Sequence, residues 1–327
     1  MNRLKYIGFC ITLLIFTVLL QSWGFYGHRR INRMAVFTLP PEMIGFYKAN
    51  IEYVTAHAVD PDKRRYATKG EAPKHFIDID HYGKEGDDPF KAMPKYWYEA
   101  VNKYSEDTLQ AYGIVPWQVA NMTRWLTKAF EAKDANRILY LSSDLGHYIA
   151  DAHVPLHTTE NYNGQMTGQK GIHGLWESRI PELTADDYDY LVGRAQYIKS
   201  PLNAIWKAVE KSHSYLDSVL YIEKDLTREF PTDQKYAFET RGMSTVRQYS
   251  QEFALAYDKR MGDMVESRMR KAISMVGSLW YTAWVNAGQP NLDELLGKID
   301  VKKLEEKEAE EQKLLEKEKV KSREHEN

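Results

Sequence analysis

His147 and Asp151 stand four residues apart in the run His147-Tyr148-Ile149-Ala150-Asp151-Ala152-His153-Val154-Pro155-Leu156-His157. On a helix that spacing stacks imidazole and carboxylate on one face, where a nitrogen and an oxygen can reach the same metal ion. Pro155 ends such a helix and lets His157 turn back over its end. His153, six residues beyond His147, falls well round the helix and is set aside. Read alone, the pair fits a helix-surface contact or a buried hydrogen bond equally well. The pattern recurs, however, in His173-Gly174-Leu175-Trp176-Glu177, after a Gly- and Asn-rich loop from Thr158 to Ile172. Oxygen and nitrogen donors without thiolate suit zinc in a catalytic setting, where one coordination position stays open for water.

Two upstream segments extend the set: Trp23-Gly24-Phe25-Tyr26-Gly27-His28, and Ala56-His57-Ala58-Val59-Asp60 followed by Lys74-His75-Phe76-Ile77-Asp78-Ile79-Asp80. In residue type, order and approximate spacing the four segments together resemble the trinuclear-zinc phosphodiesterases, the S1/P1 nucleases and bacterial zinc-dependent phospholipases C. The resemblance runs from Trp23 to about Leu183 and implies three zinc ions. Asp60, His75, His147 and Asp151 match the family's ligands for the first, and His157, His173 and Glu177 those for the second. The third falls to His28, to Asp151 as a bridge, and to Trp23 through its amino nitrogen and carbonyl oxygen. Two zinc ions about 3.5–4 Å apart bridge a water and lower its pKa, giving a hydroxide nucleophile, while a third neutralises phosphate charge. Asp60 and Asp80 are the candidate catalytic carboxylates. Asp80, like Asp78, is placed to orient a ligand histidine or the water, and capping is the alternative use of Asp78.

The resemblance leaves the substrate open. The expected reaction is cleavage of single-stranded DNA or RNA, since the runs around His157 and His173 are similar to the nuclease versions. Glu177 stands where the nucleases usually carry aspartate and is similar to the phospholipases, so attack on phospholipid headgroups is the alternative. A non-catalytic zinc-binding envelope protein is a third class. Tyr26, Tyr162 and Trp176 are candidates to stack a base or line a headgroup pocket, with core packing the stronger use of Trp176. His57, His81 and His213 read as surface or hydrogen-bonded histidines. Lys84 and Arg179 read as solvated charge close to the site in sequence.

The elements that must carry these residues are mainly helical. Residues of types AVILMFWYC make up 43%, a globular share, and the net charge of -2 excludes a protein that holds polyanions by overall charge. Arg3 and Lys5 precede an apolar run from Ile7 to Leu20, then Gln21-Ser22-Trp23. This reads as an export leader cut before Trp23, with an uncleaved anchor as the alternative. Cleavage would also create the Trp23 amine that the resemblance requires. Cys10, the only cysteine, lies inside the leader, so the mature chain has no disulfide. The expected fold is all-α: a leader over 1–22, one multi-helix phosphodiesterase domain over 23–300, and a charged, solvated, partly helical tail over 301–327. Helices are predicted from about Pro41 to His57 and near 95–111, 116–131, 135–153, 173–179, 185–195, 202–222 and 238–286. The protein is expected to be exported, monomeric and without a stable protein partner.

Overall fold

Residues Ala135–Asp151 are small or apolar on nearly every face, and a helix of that kind belongs inside a bundle. The computed structural model describes residues 25–83, 86–241 and 244–317. The expected leader, Trp23 and Lys84 lie outside the described residues. The helices are α1 (Phe25–Ala35), α2 (Pro41–Ala49), α3 (Ile51–Ala56), α4 (Asp60–Arg64), α5 (Trp97–Tyr104), α6 (Glu106–Tyr112), α7 (Val115–Glu131), α8 (Ala135–Asp151), α9 (Pro201–His213), α10 (Leu216–Glu229), α11 (Gln251–Met261), α12 (Met264–Asn286) and α13 (Val301–Lys317). Shorter helical turns lie between them, and a further helical segment, 172–184, is described with the site.

Helix α8 is buried along almost all its length and packs on α7, α1 and α12. Leu139, Leu145 and Ile149 of α8 share one core with Ile31 of α1, Leu126 and Phe130 of α7, and Ile273, Val276 and Trp280 of α12. Asp134 caps α8, its carboxylate accepting from the Arg137 amide at 3.0 Å. Polar ties fix the rotation of α8 among its neighbours. Asn32 of α1 donates to the carbonyls of Val54 and Ser143, and the Trp280 indole donates to that of Ser142.

The all-α class stands with one exception. The predicted helix from 238 to 286 is a hairpin, β1 (Tyr236–Arg241) paired antiparallel with β2 (Ser244–Tyr249), followed by α11 and α12. Tyr236 pairs with Tyr249 at one end of the hairpin and Arg241 with Ser244 at the other. The predicted helix 95–111 breaks at Ser105, whose φ of 69 stops α5 and whose Oγ accepts from the Thr108 amide to begin α6. The stretch 202–222 divides into α9 and α10 after His213. Residues 188–199, predicted in part as helix, run without regular structure and bond across to other elements. The amides of Ala195, Gln196 and Ile198 donate to the Thr38 carbonyl, Ser278 Oγ and Thr282 Oγ1. The tail, expected to be solvated, is helical over α13 and attached where it starts. Leu304 is buried, and Asn136 exchanges two hydrogen bonds with the Asp300 backbone.

Gly146 shows how closely α1 and α8 approach, because a Cβ added there would lie 1.9 Å from Asn32 Oδ1. Gly146→Ala is expected to cost at least about 1–3 kcal/mol of stability through overpacking. Urea unfolding of the metal-free protein checks this, and an unchanged midpoint would show that Asn32 can move aside at no cost.

Candidate metal centre

Five histidines and three carboxylates from separate parts of the chain converge against the C-terminal half of α8. Four groups have ligand atoms within 4.8 Å of one another: His75, His147 and Asp151; His157, His173 and Glu177; His28, Asp151 and Glu177; and His28, Asp62 and His147. All these residues are buried. Helix α8 supplies His147 and Asp151 on one face, with Asp151 Oδ2 3.2 Å from His147 Nε2. The chain turns after α8 through Pro155 and brings His157 back beneath it. His28 comes from α1 and stacks on His147 with ring centroids 4.0 Å apart. His173 and Glu177 lie on the segment 172–184, which is π-helical over Leu175–Arg179. His173 Nε2 meets Glu177 Oε2 at 2.7 Å, and the widened turn is of a kind common at functional sites.

The structure does not bring Asp60 into these groups. Its carboxylate is held by His57 Nδ1 at 2.5 Å and Lys63 Nζ at 2.7 Å. Burial would raise its pKa, but the contacts with His57 and Lys63 outweigh burial and lower it. Asp62 occupies the expected place instead, with Oδ1 3.6 Å from His75 Nδ1 and 3.7 Å from His147 Nε2. The two acids flank Pro61 on a helix of a single turn, α4, where pattern alone does not fix which side chain faces inward. Asp80 is exposed and accepts from Thr159 Oγ1 at 2.5 Å and the Glu160 amide at 3.1 Å. It therefore pins the loop after His157 and touches no histidine of the cluster. Glu177 differs from expectation in reach: Oε1 lies 3.1 Å from His28 Nε2, while Oε2 lies 3.2 Å from His157 Nε2. It spans two groups, as Asp151 does.

His153 is buried but belongs to none of these groups, its Nδ1 donating to the Ile149 carbonyl. His57, His81 and His213 are hydrogen-bonded outside the cluster, to Asp60, Glu160 and Thr158 respectively. Arg179 pairs with Glu239 of β1, and Trp176 is buried in the core. Arg65 escaped the sequence reading. It is 1% exposed, its Nη1 lies 3.6 Å from Asp62 Oδ1, and its Nε and Nη1 have no hydrogen-bond partner among the described residues. Its signal was its position three residues after Asp62, just past the end of the same short helix.

The donor set fits metal on three grounds. First, His147 Nδ1 donates to the Ala58 carbonyl at 2.8 Å and His157 Nδ1 to that of His75 at 2.6 Å, which turns both Nε2 lone pairs inward. Second, those lone pairs face other ring nitrogens, His147 Nε2 to His75 Nδ1 and His157 Nε2 to His173 Nε2, each at 3.0 Å. The edges of a tetrahedral zinc site with bonds of about 2.0–2.2 Å are about 3.3–3.6 Å, close to these separations. Third, the site concentrates buried carboxylates. Burial would raise the pKa of Asp151 and Glu177, yet the facing histidines hold both well below the carboxylate range. Burial and the Arg65 guanidinium push His75 down to about 4. Burial also disfavours charge on His147, but Asp151 and Asp62 override it and push its pKa up to about 9. Buried anions of this density call for cations.

Against this geometry, the family comparison is decisive: the S1/P1 Nuclease family matches residues 23–274. The chain belongs to the S1/P1 nuclease family. The match takes in every residue of the cluster, and the S1/P1 assignment supports a phosphodiester hydrolase. No curated protein matches the sequence. Among solved structures, the chain is similar to the alpha-toxin of Clostridium perfringens avian strain SWCP at 13% identity and a TM-score of 0.45, covering 83% of this chain. It is also similar to the alpha toxin of Clostridium absonum at 14% identity and a TM-score of 0.36, covering 79%. The chain spans 65% of the length of each toxin.

Asp62→Asn is expected to lower bound metal and activity together, by tenfold or more, whereas Asp60→Asn leaves metal content near wild type. Metal analysis of both purified variants decides between the two acids, and the reverse order would return the ligand role to Asp60.

Proposed function

We propose that the protein is a zinc-dependent phosphodiesterase that cleaves single-stranded nucleic acid. The observation that carries the reading is a cleft of about 1010 Å³ lined by neighbours of the cluster residues. Phe76, next to His75, lines it, as does Tyr162, whose ring stands edge-on to His173 at 6.3 Å. Arg65, Lys69 and Lys74 line the same cleft. Aromatic surfaces and cations beside a recessed cluster suit a flexible strand that can bend inward and stack a base, whereas a duplex would have to be distorted.

Asp62, His75, His147 and Asp151 would hold one zinc, His157, His173 and Glu177 a second, and His28 with Asp151 and Glu177 a third. Bound zinc supplies Lewis acidity toward a phosphate oxygen and lowers the pKa of water. The chain's own groups do the rest. Arg65 offers a buried guanidinium to a phosphate oxygen, a contact strengthened by the low local dielectric. Asp80 holds Thr159 and Glu160 and so fixes the loop that leads to Tyr162.

A second reading rests on the same cleft, which Asp78, Glu106, Asp107 and Glu160 also line. Mixed charge of that kind suits a zwitterionic headgroup, and Glu177 agrees with the phospholipase pattern. The test is initial rate on single-stranded DNA, RNA and dispersed phosphatidylcholine at matched phosphate. Nucleotide release that chelation abolishes, with about three zinc per chain, is expected; rapid lipid cleavage without nucleotide release would overturn the nuclease reading and leave the zinc reading intact.

Export and cleavage before Trp23 belong to the same proposal, because α1 carries His28 into the cluster and Trp23 stands five residues ahead of it in sequence. A free Trp23 amine is a zinc donor and a peptide nitrogen is a very poor one. Protein carrying one extra residue ahead of Trp23 is therefore expected to bind fewer zinc ions than protein that starts at Trp23. Equal zinc content in the two forms would remove the amine from the ligand set.

A further inference from the structure

His75 presents a problem on its outer side. Its Nδ1 faces the cluster, 2.9 Å from Asp151 Oδ2 and 3.0 Å from His147 Nε2. Its Nε2 is buried and has no hydrogen-bond partner among the described residues. A neutral imidazole carries one proton. While Nδ1 donates to Asp151, Nε2 is a bare lone pair; once Nδ1 gives its lone pair to a cation, the proton must sit on Nε2. Metal binding therefore creates a buried N–H that needs an acceptor, and an unmet one is costly.

The Glu71 carboxylate stands on that side, with Oε1 4.0 Å from His75 Nε2. Glu71 is 2% exposed and firmly anchored. The Tyr148 hydroxyl donates to Oε1, Lys74 Nζ lies 2.6 Å from Oε2, and Arg64 Nη2 lies 3.8 Å from Oε1. Arg64 is itself clamped by Asp144 at 2.6 Å and reached by Glu311 of α13 at 3.5 Å. Since Arg64 and Asp62 share the single turn of α4, the same clamp restrains the segment that bears Asp62.

We propose that Glu71 is a positioning residue for the metal centre, accepting the Nε2 proton of His75 and so presenting Nδ1 to the cation, with Tyr148 and the Arg64–Asp144 pair holding the carboxylate in place. The proposal rests on the zinc reading above and adds to it a residue outside the ligand set. Carboxylates that orient ligand histidines in this way typically change metal affinity by about 10–100-fold when removed.

The test is zinc affinity of the metal-free mature protein, measured by competition with a chromophoric chelator and accompanied by the melting temperature of each metal-free variant. Glu71→Ala is expected to weaken one zinc site by about 10–100-fold. Glu71→Gln keeps an oxygen acceptor at the same reach and is expected to recover most of that loss. Tyr148→Phe, which frees the carboxylate without removing it, is expected to weaken the same site by a smaller factor. Wild-type affinity in Glu71→Ala overturns the proposal while sparing the zinc reading. So does an equal loss in the Ala and Gln variants that tracks a fall in metal-free melting temperature, since that is a purely structural effect. If Glu71→Ala does not fold, the Gln and Phe variants decide, and wild-type affinity in both overturns it. A wild-type protein that binds no zinc removes the proposal and the zinc reading together.

Discussion

Ionised carboxylates inside a helical core are the constraint to which the other parts of this structure answer. Asp62, Asp151 and Glu177 are each buried, and Asp151 and Glu177 stay charged because imidazoles surround them. Without partners such groups would cost several kcal/mol apiece. The chain lowers that cost with the facing imidazoles before any metal ion is considered. Backbone carbonyls of Ala58 and His75 fix the ring orientation of His147 and His157 from outside, so the lone pairs point inward. The cluster is thus pre-shaped by hydrogen bonds that belong to the fold.

That pre-shaping explains why α8 lies at the centre of the bundle. Two of the buried ligand candidates sit on its last turns, and its C-terminal end must not fray. Arg268 of α12 secures that end, with Nε donating to the His153 carbonyl at 3.0 Å and Nη2 to the Ala208 carbonyl and Ser212 Oγ of α9. Burial lowers this guanidinium to about 10, yet its recorded bonds go to neutral oxygens. Its geometry ties α12 to α9 and to the chain just beyond α8. The loop from 158 to 171 is held with comparable care. Asn163 Oδ1 accepts from the Gly171 amide, and Gln169 Nε2 donates to the Leu220 carbonyl and Glu223 Oε2. His173 therefore starts its helix from a fixed point, although a Gly-rich loop leads to it.

Legibility in the sequence followed the length of each element. The i,i+4 pairs on α8 and on 172–184 could be read because a helix fixes the phase between the two residues, and a local π turn did not separate His173 from Glu177. Asp60 and Asp62 could not be told apart on the same grounds. They sit on one turn around Pro61, where a shift of two residues reverses the facing side chain and no longer pattern sets the phase. The hairpin was obscured because its strands alternate weakly, with Phe238 and Val246 among polar residues, and both adjoin strongly helical sequence. Residues 188–199 misled for another reason: the Gln196 and Ile198 amides are satisfied by side chains of α12, a tertiary choice that local propensity does not record. Glu71 and Arg64 look like ordinary surface charge in the sequence. Only their burial against Tyr148 and Asp144 distinguishes them.

Glu177 bears on how far the groups of the cluster can be treated separately. An aspartate at this position would be shorter by one methylene and would bring its two oxygens to fewer partners. With glutamate, one oxygen faces His28 and the other faces His157 and His173. Asp151 makes the corresponding link, with Oδ2 on His75 and His147 and Oδ1 3.4 Å from His28. His28 is therefore the meeting point of both carboxylates, and it arrives on α1, the first described helix. The centre is one connected object closed by the N-terminal segment, and a displacement of α1 would be felt at Asp151 and Glu177 at once. The close packing of α1 on α8 through Asn32 and Gly146 is then a requirement of the site as much as of the core.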